Sequence, residues 1–292
     1  MKRILSLAII LVLSACKNEG TEKPVIKEDQ KVEEVVKAER NLKSDGTPYS
    51  DKELDGMSHD ESMMVLYEAP KDTVQTIGFL LYDGFFTMDA MGPLSVLNSM
   101  YPTEKKLIGR TRDTITSSDK VKIEVDYGID DIEQLDMLVV PGGFIETYQA
   151  TKDEELLAWI RKIDKSTKYT VSVCTGAWIL GAAGVLDGKE ATTHWYRAEE
   201  NLAKYGATFI KKRYTNDGKY WTSAGVSAGI DMSLALVDQI LGRNYAEFIA
   251  LNLEYDPQPP FESGHPDKAD RVVSVMMEKM FDEGLKPFKG EE

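Results

Sequence analysis

The chain has only two cysteines, Cys16 and Cys174, and only three histidines in 292 residues. Two cysteines cannot build the disulfide framework that holds small exported domains together. The histidines, His59, His194 and His265, stand far apart and join no cysteine at metal-ligand spacing, so no metal site is implied. Positive charge is also in deficit: 35 Lys and Arg against 49 Asp and Glu leave a formal charge of -14. Nucleic acids are bound by clustered cations that release counterions, and no such cluster stands out, which argues against a nucleic-acid partner. Long apolar runs are missing as well. The longest near the start, residues 4–13, is too short to span a bilayer. What remains, 42% hydrophobic and 29% charged residues, is the composition of a globular domain with a sizeable core.

The short apolar run follows Lys2 and Arg3 and ends in Leu13-Ser14-Ala15-Cys16, the layout of an export signal. This ending resembles a bacterial lipobox, which implies cleavage before Cys16, lipid on its sulfur and a place in the cell envelope. Lys17 in place of Asp then suggests the outer membrane in a cell that has one. An ordinary secretory signal that happens to contain a cysteine is the alternative. Between Lys17 and Asp72 nine basic and fifteen acidic residues accompany few aromatics, so residues 16–72 read as an acidic tether after a signal peptide over 1–15. Within it, residues 25–42 allow a solvated helix, and 63–67 are apolar enough to dock on the domain that the tether carries.

From residue 73 short apolar runs alternate with helical periods, the pattern of βαβ units around a parallel sheet. Strands are expected over 77–81, 137–140, 169–173 and 220–224, and helices over 154–163, 177–183, 195–205 and 227–241. The domain is expected over 73–285 with a tail over 286–292, as a doubly wound α/β sandwich. Ligands in such sheets collect at the carboxyl ends of the strands. Pro141-Gly142-Gly143 and Cys174-Thr175-Gly176-Ala177 both stand at such ends.

If lipid occupies Cys16, Cys174 has no disulfide partner within the chain. Its place between a buried strand and a helix suggests a sharp elbow that projects the thiol. The helix after it is expected to lower the thiol pKa. A buried structural cysteine ending a strand is the competing reading.

Four blocks decide between them: Leu81-Tyr82-Asp83-Gly84-Phe85 with Asp89-Ala90-Met91-Gly92-Pro93; Val139-Val140-Pro141-Gly142-Gly143; Val173-Cys174-Thr175-Gly176-Ala177; and Ala191-Thr192-Thr193-His194-Trp195. Together they resemble the DJ-1/PfpI family over about residues 73–269. The runs 223–231 and 254–261 are similar to its isonitrile hydratase branch and regulator relatives. The resemblance implies a flavodoxin-like sandwich with a mainly parallel sheet and a nucleophile elbow. It implies Cys174 as nucleophile, Asp89 as neighbouring acid and proton relay, and Thr175 and Gly143 as oxyanion donors. It also implies a small-molecule substrate, a homodimer, and chemistry without cofactor or metal. His194 stays open between a place beside the nucleophile and a helix start.

The protease-like members carry His directly after the cysteine, where this chain has Thr175, so peptidase activity is not expected. Hydration of an isonitrile is the best-matched reaction; a membrane-anchored ligand or redox sensor and a stress protein acting on reactive carbonyls are the alternatives. Gly264-His265-Pro266-Asp267 is similar to a glutamine-amidotransferase segment but reads as chance. Ser227 is expected to cap its helix. Tyr82, Phe85, Phe86 and Trp195 are expected in the pocket or core. Val272, Val273, Val275, Met276 and Met280 form a stripe expected to pack or to contact a second copy.

Overall fold

The computed structural model describes residues 42–43, 46–67 and 70–288. Cys16, the signal segment and all but the last residue of the possible 25–42 helix lie outside the described residues. Two compact units divide at Met57 and Ser58. In the first, Leu42 bridges Pro48, and helix α1 (Asp51–Asp55) is capped by the Ser50 side chain, which Glu53 answers in a capping box.

The second unit begins with helix α2 (His59–Leu66), after which Leu66 and Tyr67 pack against the core. Next come β1 (Thr76–Leu80), α3 (Thr87–Leu97), β2 (Glu104–Gly109), the hairpin β3 (Thr114–Thr116) and β4 (Lys122–Glu124), β5 (Tyr127–Gly128), β6 (Met137–Val140), α4 (Ile145–Ala150), α5 (Glu154–Asp164), β7 (Tyr169–Val173) and α6 (Gly176–Ala182). The chain continues through β8 (Glu190–Ala191), α7 (Ala198–Ala203), β9 (Thr208–Phe209), β10 (Tyr214–Asp217), β11 (Tyr220–Ser223), α8 (Val226–Leu241), α9 (Arg243–Asn252) and α10 (Arg271–Leu285). Among the described residues no helix is long and apolar enough to cross a membrane.

The central sheet runs β10-β11-β7-β6-β1-β2-β5, parallel throughout except for the antiparallel pair β10–β11. This is the expected doubly wound α/β fold. Both faces are covered, which is why β6 and β7 are apolar or neutral at every position and buried throughout. The two-residue period divides them: Met137 and Val139 enter one core cluster with Val171, Val173, Met232 and Leu236, while Leu138 and Val140 enter the other with Leu156, Ile160 and Ile163. Helix α5 forms because Leu156, Ile160 and Ile163 recur on one face, and Asp153 caps its start by accepting the Leu156 N–H at 3.0 Å.

Several expectations are corrected. The helix expected over 195–205 is confined to Ala198–Ala203, because Arg197 takes a left-handed conformation at φ 45° and breaks the period before it. Ser227 does not cap α8; Gly225 holds that position and the Ser227 hydroxyl accepts from Arg213. Of the two roles expected for the stripe on α10, packing within the chain does not hold: Val272, Val273, Met276 and Met280 are each at least half exposed, while Phe281 and Leu285 are the apolar side chains the helix buries. Helix α3 has no counterpart among the expected helices, since Gly92 and Pro93 interrupt its pattern.

Candidate active site

Cys174 lies between β7 and α6 at φ 58°, in the left-handed region that a residue with a Cβ seldom occupies. Strain of this kind persists only where the surroundings hold it, and here the Cys174 N–H donates to the Ser223 carbonyl at 2.9 Å. The elbow is sharp because α6 starts against the end of the neighbouring strand β6. A Cβ on Gly176 would strike the Val140 carbonyl oxygen, so only glycine permits that approach.

The thiol is buried, with 2% of the residue exposed. Asp89, in the first turn of α3, is fully buried beside it, and the two side chains shift one another's pKa. One oxygen of this carboxyl, Oδ2, accepts the Gly142 N–H at 3.2 Å; the other, Oδ1, has no protein partner among the described residues. Burial raises the Asp89 pKa to about 7, against smaller downward pulls from Cys174 and Gly142. Gly142 is required here, since a Cβ would come within 2.7 Å of the Thr175 nitrogen and 2.8 Å of Asp89 Oδ2.

Burial, and then the Asp89 charge, push the Cys174 pKa well above its ordinary value, while the Thr175 N–H and hydroxyl pull the other way. The expected lowering is therefore corrected: removal from water and a neighbouring carboxylate outweigh the backbone dipoles of the seven-residue α6. At neutral pH the pair holds its proton on sulfur, with a base beside it that is partly ionised.

Thr175 and Gly143 meet, but not as two free donors. The Gly143 N–H donates to Thr175 Oγ1 at 3.0 Å and the Thr175 hydroxyl donates back to the Gly143 carbonyl at 2.9 Å. The Gly143 N–H expected as an oxyanion donor is thus engaged by Thr175 in this structure. Tyr82 supports this turn, its hydroxyl lying 3.0 Å from the Pro141 carbonyl oxygen and 2.7 Å from Thr147 Oγ1.

A cavity of about 1220 Å³ opens on the other side of the thiol. Phe86, Cys174, Thr193, His194 and Trp195 form part of its wall, as do Gly225 to Ala228. Asp89, Thr175 and Gly143 are not among the residues that line it. The first backbone donation into α8 comes from Gly229, so the N–H groups just before it have no partner within that helix. His194 lines the same cavity, stacks near Phe281 at 4.9 Å and accepts the Tyr196 N–H on Nδ1 at 3.3 Å. Burial lowers its pKa to about 4, so the ring is neutral at physiological pH with its proton on Nε2. No hydrogen bond joins it to Cys174 among the described residues. Gly264, His265 and Pro266, read as chance in sequence, also line the cavity. Among the described residues no group of three His, Cys, Asp or Glu is placed to hold a metal.

A strained cysteine at a strand-to-helix elbow, paired with a buried acid at the carboxyl ends of the inner strands of a doubly covered, mainly parallel sheet, defines a cysteine-centred α/β protein. Residues 75–239 match the DJ-1/PfpI family, and the chain belongs to that family. Isonitrile hydratase of Pseudomonas putida is 39% identical over 197 residues, 68% of this chain and 86% of that protein. The HTH-type transcriptional regulator CdhR of Pseudomonas aeruginosa is 29% identical over 178 residues, but the match spans only 52% of the regulator. Among solved structures, a THiJ/PfpI family protein from Pseudomonas syringae is 33% identical, with a TM-score of 0.72 over 79% of this chain and 93% of the other.

Proposed function

We propose that the chain hydrates a small electrophile, an isonitrile in the best-matched case, to an N-substituted formamide. The observation that carries the reading is the Asp89–Cys174 pair: a protonated thiol beside a carboxyl titrating at about 7, against a cavity wide enough for an organic substrate. As the sulfur attacks the terminal carbon of R–N≡C, Asp89 takes the thiol proton and passes it to that carbon, giving the thioimidate R–N=CH–S–Cys174. Water then adds to the same carbon, the C–S bond breaks, the sulfur regains a proton and R–NH–CHO leaves. Negative charge that develops during addition falls beside the Thr175 N–H and the N–H groups at the start of α8, which have no partner within that helix. The chemistry calls on no cofactor.

The identity to isonitrile hydratase supports this reading over a sensor. A redox sensor works best through an exposed thiolate, whereas this thiol is buried and protonated. The regulator relatives keep the sensor reading as the second one. We further propose, from the Leu13-Ser14-Ala15-Cys16 ending, that lipid on Cys16 anchors the protein to the cell envelope, and, from the family resemblance, that it forms a homodimer. Fatty-acid labelling that persists in Cys16→Ser would overturn the anchor, and a monomer at micromolar concentration in sedimentation would overturn the dimer.

The activity test offers isonitriles and, separately, methylglyoxal to wild type, Cys174→Ala and Asp89→Asn, following formamide and lactate. Formamide from wild type, none from Cys174→Ala, and a loss of about 10²–10⁴ in Asp89→Asn is the expected pattern. Full turnover by Cys174→Ala would end the nucleophile assignment, and lactate without formamide would transfer the reading to carbonyl chemistry.

A further inference from the structure

The left-handed turn at Cys174 is held from both sides, once through its amide and once through its carbonyl. The Cys174 N–H is tied to the Ser223 carbonyl at the end of β11. On the other side, the Thr193 hydroxyl donates to the Cys174 carbonyl at 2.8 Å in a fully buried contact. That carbonyl belongs to the same peptide plane as the Thr175 N–H, the group that reaches the Cys174 sulfur. A trans peptide points its carbonyl and its N–H in opposite directions, so fixing one aims the other.

Thr193 is itself fixed. The N–H of its neighbour Thr192 donates to Thr222 Oγ1 at 2.8 Å, one residue before the Ser223 that holds the cysteine amide. The Thr192 hydroxyl donates to the Lys212 carbonyl at 3.1 Å, and the Ile210 N–H donates to the Ala191 carbonyl at 2.8 Å. The 191–193 segment is therefore anchored to β11 and to residues 210–212, and the Thr193 hydroxyl has little freedom to leave the cysteine.

We propose that Thr193 is a positioning residue: by holding the Cys174 carbonyl it locks the 174–175 peptide so that the Thr175 N–H stays aimed at the sulfur. The inference rests on Cys174 being the reactive group, but not on the identity of the substrate. Thr193 lines the cavity through its place in the wall, and its hydroxyl is turned to backbone rather than left for a substrate.

The full chain carrying Thr193→Val, which keeps the side chain's shape and deletes the hydroxyl, is compared with Thr193→Ser and wild type. The primary readout is the rate of alkylation by iodoacetamide as a function of pH, which needs no substrate. Thr193→Val is expected to move the profile to higher pH, so that alkylation below the inflection is about tenfold slower per pH unit of displacement. Thr193→Ser is expected to restore the wild-type profile. If isonitrile is turned over, kcat should fall in Thr193→Val with KM held. Thr193→Ala, which only removes atoms, takes the place of valine if that variant does not fold. Superimposed alkylation profiles for wild type and the hydroxyl-free variant would overturn the proposal, as would failure of serine to restore the profile. A wild type inert to isonitrile would remove the proposed reaction while leaving the alkylation comparison intact.

Discussion

The Asp89 carboxyl and the Cys174 thiol lie beside one another, both buried, and each bears on the other's protonation. Burial raises both pKa values, Asp89 to about 7 and Cys174 well above its ordinary value. The acid ionises first, and its ionised form is the base that attack by sulfur requires. Turnover is therefore expected to rise with pH along a limb centred near 7, and to lose that limb in Asp89→Asn. A pH–rate profile for kcat/KM, which reports the free protein, checks this; a flat wild-type profile from pH 5 to 9 would contradict it.

The same pair makes a prediction about stability. Asp89 is raised from 3.8 to about 7 in the fold, so between those values the folded chain holds a proton that the unfolded chain has released. Stability contributed by the neutral form is complete below about 4 and is lost as pH rises through about 7. The corresponding penalty above 7 is roughly 4 kcal/mol, an upper figure because the unpartnered Oδ1 leaves room for relaxation. Asp89→Asn, uncharged at every pH, should melt higher than wild type at pH 8 and within a degree or two of it near pH 4. Thermal unfolding at the two pH values reads the difference, and equal melting at pH 8 would show that the carboxylate is not penalised.

Sequence patterning reached the frame of this site more readily than its electrostatics. β6, β7 and α5 were legible because each is long enough, and uniform enough in period, for local rules to decide. The strand ends then located Cys174, Thr175 and the Pro-Gly-Gly turn. Helix α3, which delivers Asp89, was masked by Gly92 and Pro93, and the break at Arg197 depends on a left-handed residue that no apolar period signals. The direction of the Cys174 pKa was not readable because a helix dipole is a local feature, whereas burial and the Asp89 charge are supplied by segments far away in the chain. The engagement of the Gly143 N–H by Thr175 is hidden for the same reason.

Gly176 should be intolerant of even one methyl. Its Cβ would meet backbone, the Val140 carbonyl and the Pro141 peptide, rather than the yielding end of a side chain. Gly176→Ala is expected to destabilise by about 1–3 kcal/mol through overpacking, with the elbow displaced as α6 moves off β6. Gly225→Ala is the control, because a Cβ there meets nothing within 4 Å and the backbone is extended. Urea unfolding of both variants tests the contrast, and equal midpoints would show that the turn has slack.

The outward stripe of α10 and its inward Phe281 should behave in opposite ways. Phe281 is 3% exposed, stacks on Tyr196 at 4.7 Å and meets the edge of Phe144 at 4.8 Å. It also lies 4.9 Å from His194, so the aromatic that docks the helix backs one wall of the cavity. Phe281→Ala is expected to cost about 3–5 kcal/mol, since the cavity left behind is rimmed by rings that cannot collapse into it. Met276→Gln, at a residue that is 66% exposed, should change the stability of the isolated chain by less than about 0.5 kcal/mol. Because Phe281 shields the imidazole, its loss should also let water reach His194 and raise the ring's pKa from about 4 toward the ordinary histidine value. An NMR titration of the His194 ring in both variants tracks this: a shift confined to Phe281→Ala is the expected result, and an unchanged titration would mean that other residues keep the ring dry.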